Sequence, residues 1–384
     1  MTVNRIEYLD LLRGFALFGI LVSNLPVISD PPFGLTLNET EWSYIAKFLI
    51  SFLITGKFFL LFSFVFGYGF TILLKSLQRK GLPARNIFFR RIIGLFVLGI
   101  LHAVFFFYGD ILVSYAIMGS ILFMLREMPA RRLFITAAIL WAVSAILYGV
   151  IGYFSSVGVN EGLSQTLELT NQSLADFRGD FLSATYRRFV DLPLTFGFIL
   201  AFNWPSAMMM FFVGLYCGNR NLLHDPQSFF DTVKKYNKLA MLAAVIFNTV
   251  FAIGQITTLT PWLSMLSYAS LAPGSVALSI LWAYWLYRLS SSGFKPVKAI
   301  LSAMSESGKM SLTNYILQSM LLSFIFNGWG YNLYGRLPLE LAILWVVPVY
   351  SFNLAFSKVW LHFFAMGPLE IILRKFTYLG AAEK

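Results

Sequence analysis

The chain predicts an all-α polytopic membrane bundle of about ten transmembrane helices, with both termini cytoplasmic. Three observations carry this. Hydrophobic residues make up 58% of the 384-residue chain and charged residues 12%, and the mean hydropathy is +0.72, far outside the range of soluble globular domains. Apolar runs long enough to cross a bilayer recur from end to end. The runs have the length of helices rather than of barrel strands, and only these two structures satisfy a backbone surrounded by hydrocarbon.

Taken in order, the expected spans are 8–28, 57–75, 91–108, 109–126, 132–154, 195–218, 238–258, 263–287, 309–327 and 339–361. The chain is read as one membrane domain over 1–384, without internal repeats or a soluble domain. Segments 29–56 and 155–192 are expected as extracytoplasmic loops, 219–237 and 288–308 as cytoplasmic loops, and 362–384 as a cytoplasmic interfacial tail. Within 29–56, SDPPFGLTLNETEWSY carries turn chemistry, and IAKFLISFLIT is too short to span, which suggests an interfacial or re-entrant helix. The loop 155–192 is polar with apolar spots and reads either as a recognition cap or as a passive amphipathic cover.

The net charge of +11 is distributed by topology. With the N-terminus inside, the inner segments hold most of the Lys and Arg, from Arg5 and Lys75 through Arg131, Lys234 and Lys298 to Arg374. The outer segments hold Lys47, Lys57, Arg178, Arg187, Arg188 and Arg336. This bias sets the orientation and argues against nucleic acid as a partner. Cys217 is the single cysteine, so neither an intrachain disulfide nor a cysteine-based metal site is available. A cleaved signal peptide is not expected, because Asp10 and Arg13 interrupt the apolar run. No GxxxxGK[ST], HExxH or GxSxG motif occurs, which removes the common nucleotide, zinc and serine-hydrolase chemistries.

Polar residues inside the spans are the candidates for function, since each is costly in hydrocarbon. In RGFALFGILVSN, Arg13 and Asn24 stand about three full turns apart and share a helix face. Asp10 precedes Arg13 at the i,i+3 spacing of an ion pair. The pair is either structural, with Arg13 snorkelling to the membrane edge, or the foot of a polar stripe along a cavity. His102 is the only histidine within a span, and Asp110, in the Tyr-Gly-Asp turn that follows, is its expected partner. The alternative is a hydrogen-bonded packing histidine. Asn314 and Gln318 share one face of the ninth span at i,i+4, and Asn203-Trp204-Pro205 is expected to interrupt the sixth. Both read as interhelical glue or as ligand contacts. In GKFFLLFSFVFGYGF, Gly67 and Gly69 permit close helix approach. Pro368 is expected to start a short helix with Glu370 near its N-terminus.

Five motifs in order, LDLLRGFALFGILVSN, GKFFLLFSFVFGYGF, RRIIGLFVLGILHAVFFFYGDILVSYA, GKMSLTNYILQS and GPLEIILRKFTY, make the chain resemble the YeiB family of bacterial membrane proteins, which carry domain of unknown function 418. That family is itself distantly similar to integral-membrane acyltransferases of the O-antigen acetylase and heparan-alpha-glucosaminide N-acetyltransferase type. The resemblance implies a bacterial plasma-membrane acyltransferase with acyl-CoA, such as acetyl-CoA, as donor and no tightly bound cofactor or metal. The acceptor would be extracytoplasmic or membrane-embedded, such as a glycan or a lipid-linked molecule. Arg13 matches the arginine of the O-antigen acetylase type, whereas Asn24 stands where that type has a histidine and the heparan-acetylating type an asparagine. His102 then takes the part of the base with Asp110 fixing its tautomer, and Asn24 that of an oxyanion donor. Arg13, Asp10, Arg90 and Arg91, with Asn314 and Gln318, fall to donor and substrate binding. A transporter or flippase for an anionic or lipid-linked solute, and a non-catalytic assembly or sensing protein, are the competing readings.

Overall fold

The computed structural model describes residues 7–31, 37–157 and 163–380. Arg5, Pro32, Glu161 and Lys384 lie outside them. Among the described residues every regular element is a helix. Eight stretches are long and apolar enough to cross a membrane: Glu7–Ser29, Glu41–Arg79, Ala84–Phe105, Ala130–Val157, Phe181–Asn219, Asn237–Gly254, Pro261–Ser290 and Leu339–Phe363. Two shorter apolar helices, Leu112–Met124 and Ser311–Phe326, fall where the fourth and ninth spans are expected. The protein is an all-α, multi-pass membrane bundle.

The end of the bundle where the first helix begins is called here the basic face, and the other end the far face. Helix α1 (Glu7–Ser29) runs to the far face, where α2 (Glu41–Leu53) starts in a capping box between Thr40 and Ser43. Glu340 accepts hydrogen bonds from both hydroxyls at 2.6 Å and fastens this start to the first turn of α16 (Leu339–Ala342). Helix α3 (Lys57–Arg79) returns, and α4 (Ala84–Phe105), α5 (Leu112–Met124) and α6 (Ala130–Val157) follow. Segment 155–192 holds the end of α6, then α7 (Leu163–Phe177) and, after a turn at 178–180, the first part of α8 (Phe181–Phe198).

The expected break at Asn203-Trp204-Pro205 is not an interruption. Helix α8 passes through a π-helical turn, Ile199–Asn203, into α9 (Trp204–Asn219). Pro205 sits in the first turn of α9, where a missing N–H costs least, and the wider turn takes up the misfit that would otherwise break the helix. On the basic face lies α10 (Pro226–Lys234), followed by α11 (Asn237–Gly254), α12 (Pro261–Ala269) and α13 (Leu271–Ser290). Segment 288–308 is largely a helix, α14 (Lys295–Lys309), packed on α1 and separated from α15 (Ser311–Phe326) by Met310 alone. Helix α17 (Val346–Phe363) comes back to the basic face, and α18 (Pro368–Thr377) begins at Pro368 as expected.

Close crossings hold the bundle, as they must where lipid provides no hydrophobic drive between helices. A Cβ on Gly67 would lie 2.3 Å from the Phe211 carbonyl oxygen, and one on Gly214 would lie 2.3 Å from that of Phe64. Helices α3 and α9 therefore touch backbone to backbone. Gly14 and Gly308 do the same for α1 and α14, at 1.9 Å from the Met304 oxygen and 1.8 Å from the Asp10 oxygen. The apolar core fills the space among α1, α3, α4, α5, α9 and α15, with Leu17, Leu61, Leu122, Phe211 and Tyr315 all buried.

Candidate functional site

Helix α4 brings His102 to its last turn, 1% exposed. The chain turns back at 106–111 and lays Asp110 beside it. His102 Nδ1 and Asp110 Oδ1 are 2.7 Å apart, and both side chains are buried. Asp110 Oδ2 accepts the Val113 N–H at 2.8 Å and so caps the first turn of α5. Because Asp110 stands level with His102, below the end of α4, α5 starts inside the bundle and is short. The approach depends on Gly99, one turn before His102. A Cβ there would come within 2.7 Å of the Val113 nitrogen and 2.8 Å of Asp110 Oδ2.

Tyr315 of α15 completes the arrangement. Its ring centroid is 4.9 Å from that of His102, its hydroxyl accepts the Ile111 N–H at 3.2 Å and bonds with Asp110. With the Asp110 carboxylate on Nδ1, neutral His102 carries its proton there and its lone pair on Nε2. Nε2 is buried and has no protein partner. One turn past Tyr315, Gln318 is buried with both amide atoms unpartnered. An imidazole held in one tautomer with its other nitrogen unspent can take a proton from a bound hydroxyl or amine.

A second polar group lies toward the basic face. Arg13 Nη1 donates to Asp10 Oδ1 at 2.7 Å, and Asp10 is buried while Arg13 is 27% exposed. The expected close approach at Gly69 serves this arginine: a Cβ there would be 3.2 Å from Arg13 Nη2. Arg91 of α4 lies within electrostatic reach of Arg13 and Glu370. The Glu370 carboxylate accepts the N–H groups of Leu312 and Thr313 at 2.8 and 3.2 Å and the Thr313 hydroxyl at 2.6 Å. It thus closes the N-terminus of α15 while standing in the first turn of α18. Along α4, Arg91 and His102 are about 16 Å apart.

The other candidates divide between these groups and the framework. Arg90 donates to the Leu379 carbonyl oxygen and ties α4 to the end of α18. Asn314 spends its Nδ2 on Ser307 and on the Ser357 hydroxyl at 2.8 Å, joining α15 to α14 and α17, while its Oδ1 stays unpartnered. Asn24 is half-buried in the far half of α1 and, among the described residues, makes no hydrogen bond to either group.

Three residues counted as outer charges turn inward. Lys57 is fully buried. Arg187 forms a two-pronged pair with Asp191 at 2.9 and 2.8 Å and reaches Gln172 of α7 at 3.2 Å. Arg188, 2% exposed, donates to the Phe105 carbonyl at 3.0 Å, to Ser323 at 3.4 Å and to Asn327, with its guanidinium over the Phe177 ring. It pins α8 over the ends of α4 and α15, the helices that carry His102 and Tyr315. Nearby, burial pushes the phenols of Tyr108 and Tyr334 above their usual range. Burial also lifts Asp30 to about 6, although the Leu37 N–H reaches its Oδ2 at 3.4 Å.

Sequence reasoning missed Tyr315, Gly99 and the buried state of Lys57 and Arg188. Tyr315 sits within GKMSLTNYILQS, next to Asn314, but nothing local shows that its hydroxyl reaches another helix.

The chain is similar over nearly its whole length to bacterial proteins. It is 27% identical over 399 residues to "Uncharacterized protein YxaH" of Bacillus subtilis (strain 168), covering 99% of this chain and 96% of the relative. It is 26% identical over 378 residues to an "Uncharacterized 39.9 kDa protein in amylase 3'region" of Bacillus acidopullulyticus, covering 97% and 94%. With "Uncharacterized protein YeiB" of Escherichia coli (strain K12) the identity is 25% over 393 residues, covering 97% and 96%. No solved structure matches. Residues 217–380, from the end of α9 through α18, match the model of "Protein of unknown function (DUF418)". The chain thus carries the DUF418 match over 217–380 and is similar nearly end to end to YeiB and YxaH.

Proposed function

We propose that this protein is an acyltransferase of the bacterial plasma membrane, moving an acyl group from acyl-CoA at the basic, cytoplasmic face to an acceptor in the membrane or beyond it. The observation that supports the reading best is His102 Nε2, buried and unpartnered, on an imidazole whose Nδ1 is held by Asp110 at 2.7 Å. In this scheme Nε2 removes the proton of an acceptor hydroxyl or amine, and the freed oxygen or nitrogen attacks the thioester carbonyl carbon. The C–S bond breaks, and the CoA thiolate leaves with the proton that His102 took, so an ester or amide and free CoA result. Gln318 and Asn24 are the amides that would stabilise the carbonyl oxygen as charge builds. Arg13 and Arg91 would meet the anionic part of the donor. The pantetheine arm of CoA suits the separation of the two polar groups along α4.

The acceptor would be a glycan or a lipid-linked molecule presented with membrane lipid. The test is binding of acetyl-CoA and longer acyl-CoAs to the detergent-purified protein, followed by release of free CoA in native membranes. Saturable binding weakened at least tenfold in Arg13→Ala, with CoA release lost in a monodisperse His102→Gln, is the expected result. A folded protein that binds no acyl-CoA would sink the proposal and turn the search to solute translocation.

A further inference from the structure

Lys57 is used by none of this chemistry, yet it is completely buried, with a relative exposure of 0%. Nζ donates to the Ser51 carbonyl oxygen at 2.7 Å and lies 5.8 Å from the Phe251 ring centroid of α11. Among the described residues no carboxylate pairs with it. A protonated amine has three donors, so two remain unspent. Buried charges elsewhere in proteins are paired or hold an ion.

Two further features converge on the same junction of α2 and α3. Lys57 is the first residue of a 23-residue helix whose N-cap, Gly56, has φ 84° and gives no side-chain hydrogen bond. The Lys57 N–H bonds the Ile54 carbonyl oxygen at 3.0 Å, while the N–H groups that follow it in the first turn lack intrahelical acceptors, and the positive end of the helix dipole falls there. Ser275 of α13, 2% exposed, leaves its hydroxyl unpartnered. That hydroxyl is aimed at the junction: a Cβ on Gly56 would lie 2.4 Å from it. One turn on, Ser279 donates to the Lys57 carbonyl at 2.9 Å, which keeps this face of α13 against the turn.

A buried amine, an uncapped helix N-terminus and a spare hydroxyl donor all favour negative charge. We propose that the α2–α3 junction binds a small monovalent anion of halide size, held by Lys57 Nζ, the Ser275 hydroxyl and the first-turn N–H groups of α3. Complete enclosure, with Phe58 at 2% exposure beside Lys57, favours a monatomic ion over a phosphate or carboxylate ester. An amine that stays protonated in this enclosure only beside a counter-ion calls for one negative charge. The bound ion would fix α2 to the start of α3 and to α13, and this inference is independent of the acyltransferase reading.

The test compares purified protein in sodium chloride and sodium gluconate at equal ionic strength, with radiolabelled chloride as the direct probe. Saturable chloride binding and an unfolding temperature higher by about 2–4 °C in chloride are expected. Ser275→Ala should weaken chloride binding about tenfold by removing one donor, and Lys57→Met should abolish it. Should Lys57→Met fail to fold, Ser275→Ala and the wild-type binding isotherm still decide. Absence of saturable binding to the wild type, or binding equally tight in Ser275→Ala, would overturn the proposal.

Discussion

His102 and Asp110 are eight positions apart in the chain and 2.7 Å apart in space, and Gly99 permits that contact. Gly99→Ala should cost about 1–3 kcal/mol, as overpacking does, because the added carbon would strike the Val113 nitrogen and Asp110 Oδ2 together. Urea-gradient or thermal unfolding in detergent would measure it, and an unchanged midpoint would contradict the packing described. Asp110→Asn keeps the shape but removes the carboxylate that fixes the imidazole. On the acyltransferase proposal, acyl transfer should fall about 10²–10⁴-fold with folding retained, as read by CoA release. At the far face, Asp30 has its carboxyl raised to about 6 by burial, above the value of about 3.9 of an unfolded aspartate. The native state therefore holds the proton more tightly than the unfolded state. This contribution is fully present below about pH 4 and is lost as pH rises through about 6. In Asp30→Asn the unfolding temperature should lose that part of its decline between pH 4 and 6, so the two proteins should diverge across this window and run parallel above it.

Two helices, α15 and α8, are anchored by single side chains. Helix α15 starts without a side-chain cap of its own. Glu370 supplies that cap from α18, so a short surface helix and a buried apolar helix share one carboxylate. Glu370→Gln should lower stability by about 1 kcal/mol through loss of the charge at the helix N-terminus. Hydrogen exchange should show faster opening at 311–314, whereas protection unchanged there would show the cap to be dispensable. Helix α8 is fixed by Arg188, whose guanidinium meets backbone and side-chain oxygens of α4 and α15 rather than a carboxylate. The π turn at Ile199–Asn203 lets this segment run into α9 without a break.

Over the whole molecule, charge and polarity are divided between the two faces. Exposed cations such as Lys298 gather on the face where α1 begins, while Lys57, Arg187 and Arg188 are enclosed near the other. Removing these three from the outer tally strengthens the positive-inside bias, which counts charges in aqueous loops. With Cys217→Ser as background, a cysteine at Lys298 should resist an impermeant maleimide in intact cells, and one at Arg336 should react. The reverse pattern would invert the orientation and place the Arg13 group on the wrong side for the proposed cytoplasmic acyl-CoA.

Length, hydropathy and loop charge are properties of composition along a line, and they suffice for the helical class and for the long apolar spans, because hydrocarbon leaves the backbone few alternatives, though not for α7, α8 and α14 in the expected loops. The Asp10–Arg13 pair was legible for a similar reason, since i,i+3 spacing on one helix brings the two side chains together. His102 with Asp110 was legible as a pairing but not as a distance, which depends on how far the 106–111 turn dips beside α4. Tyr315, Glu370, Arg188 and Lys57 acquired their partners only through packing between helices remote in sequence. A lysine in GKFFLLF reads as a loop charge until the crossing of α2, α3, α11 and α13 removes it from water, and that crossing depends on three-dimensional contacts no local spacing encodes.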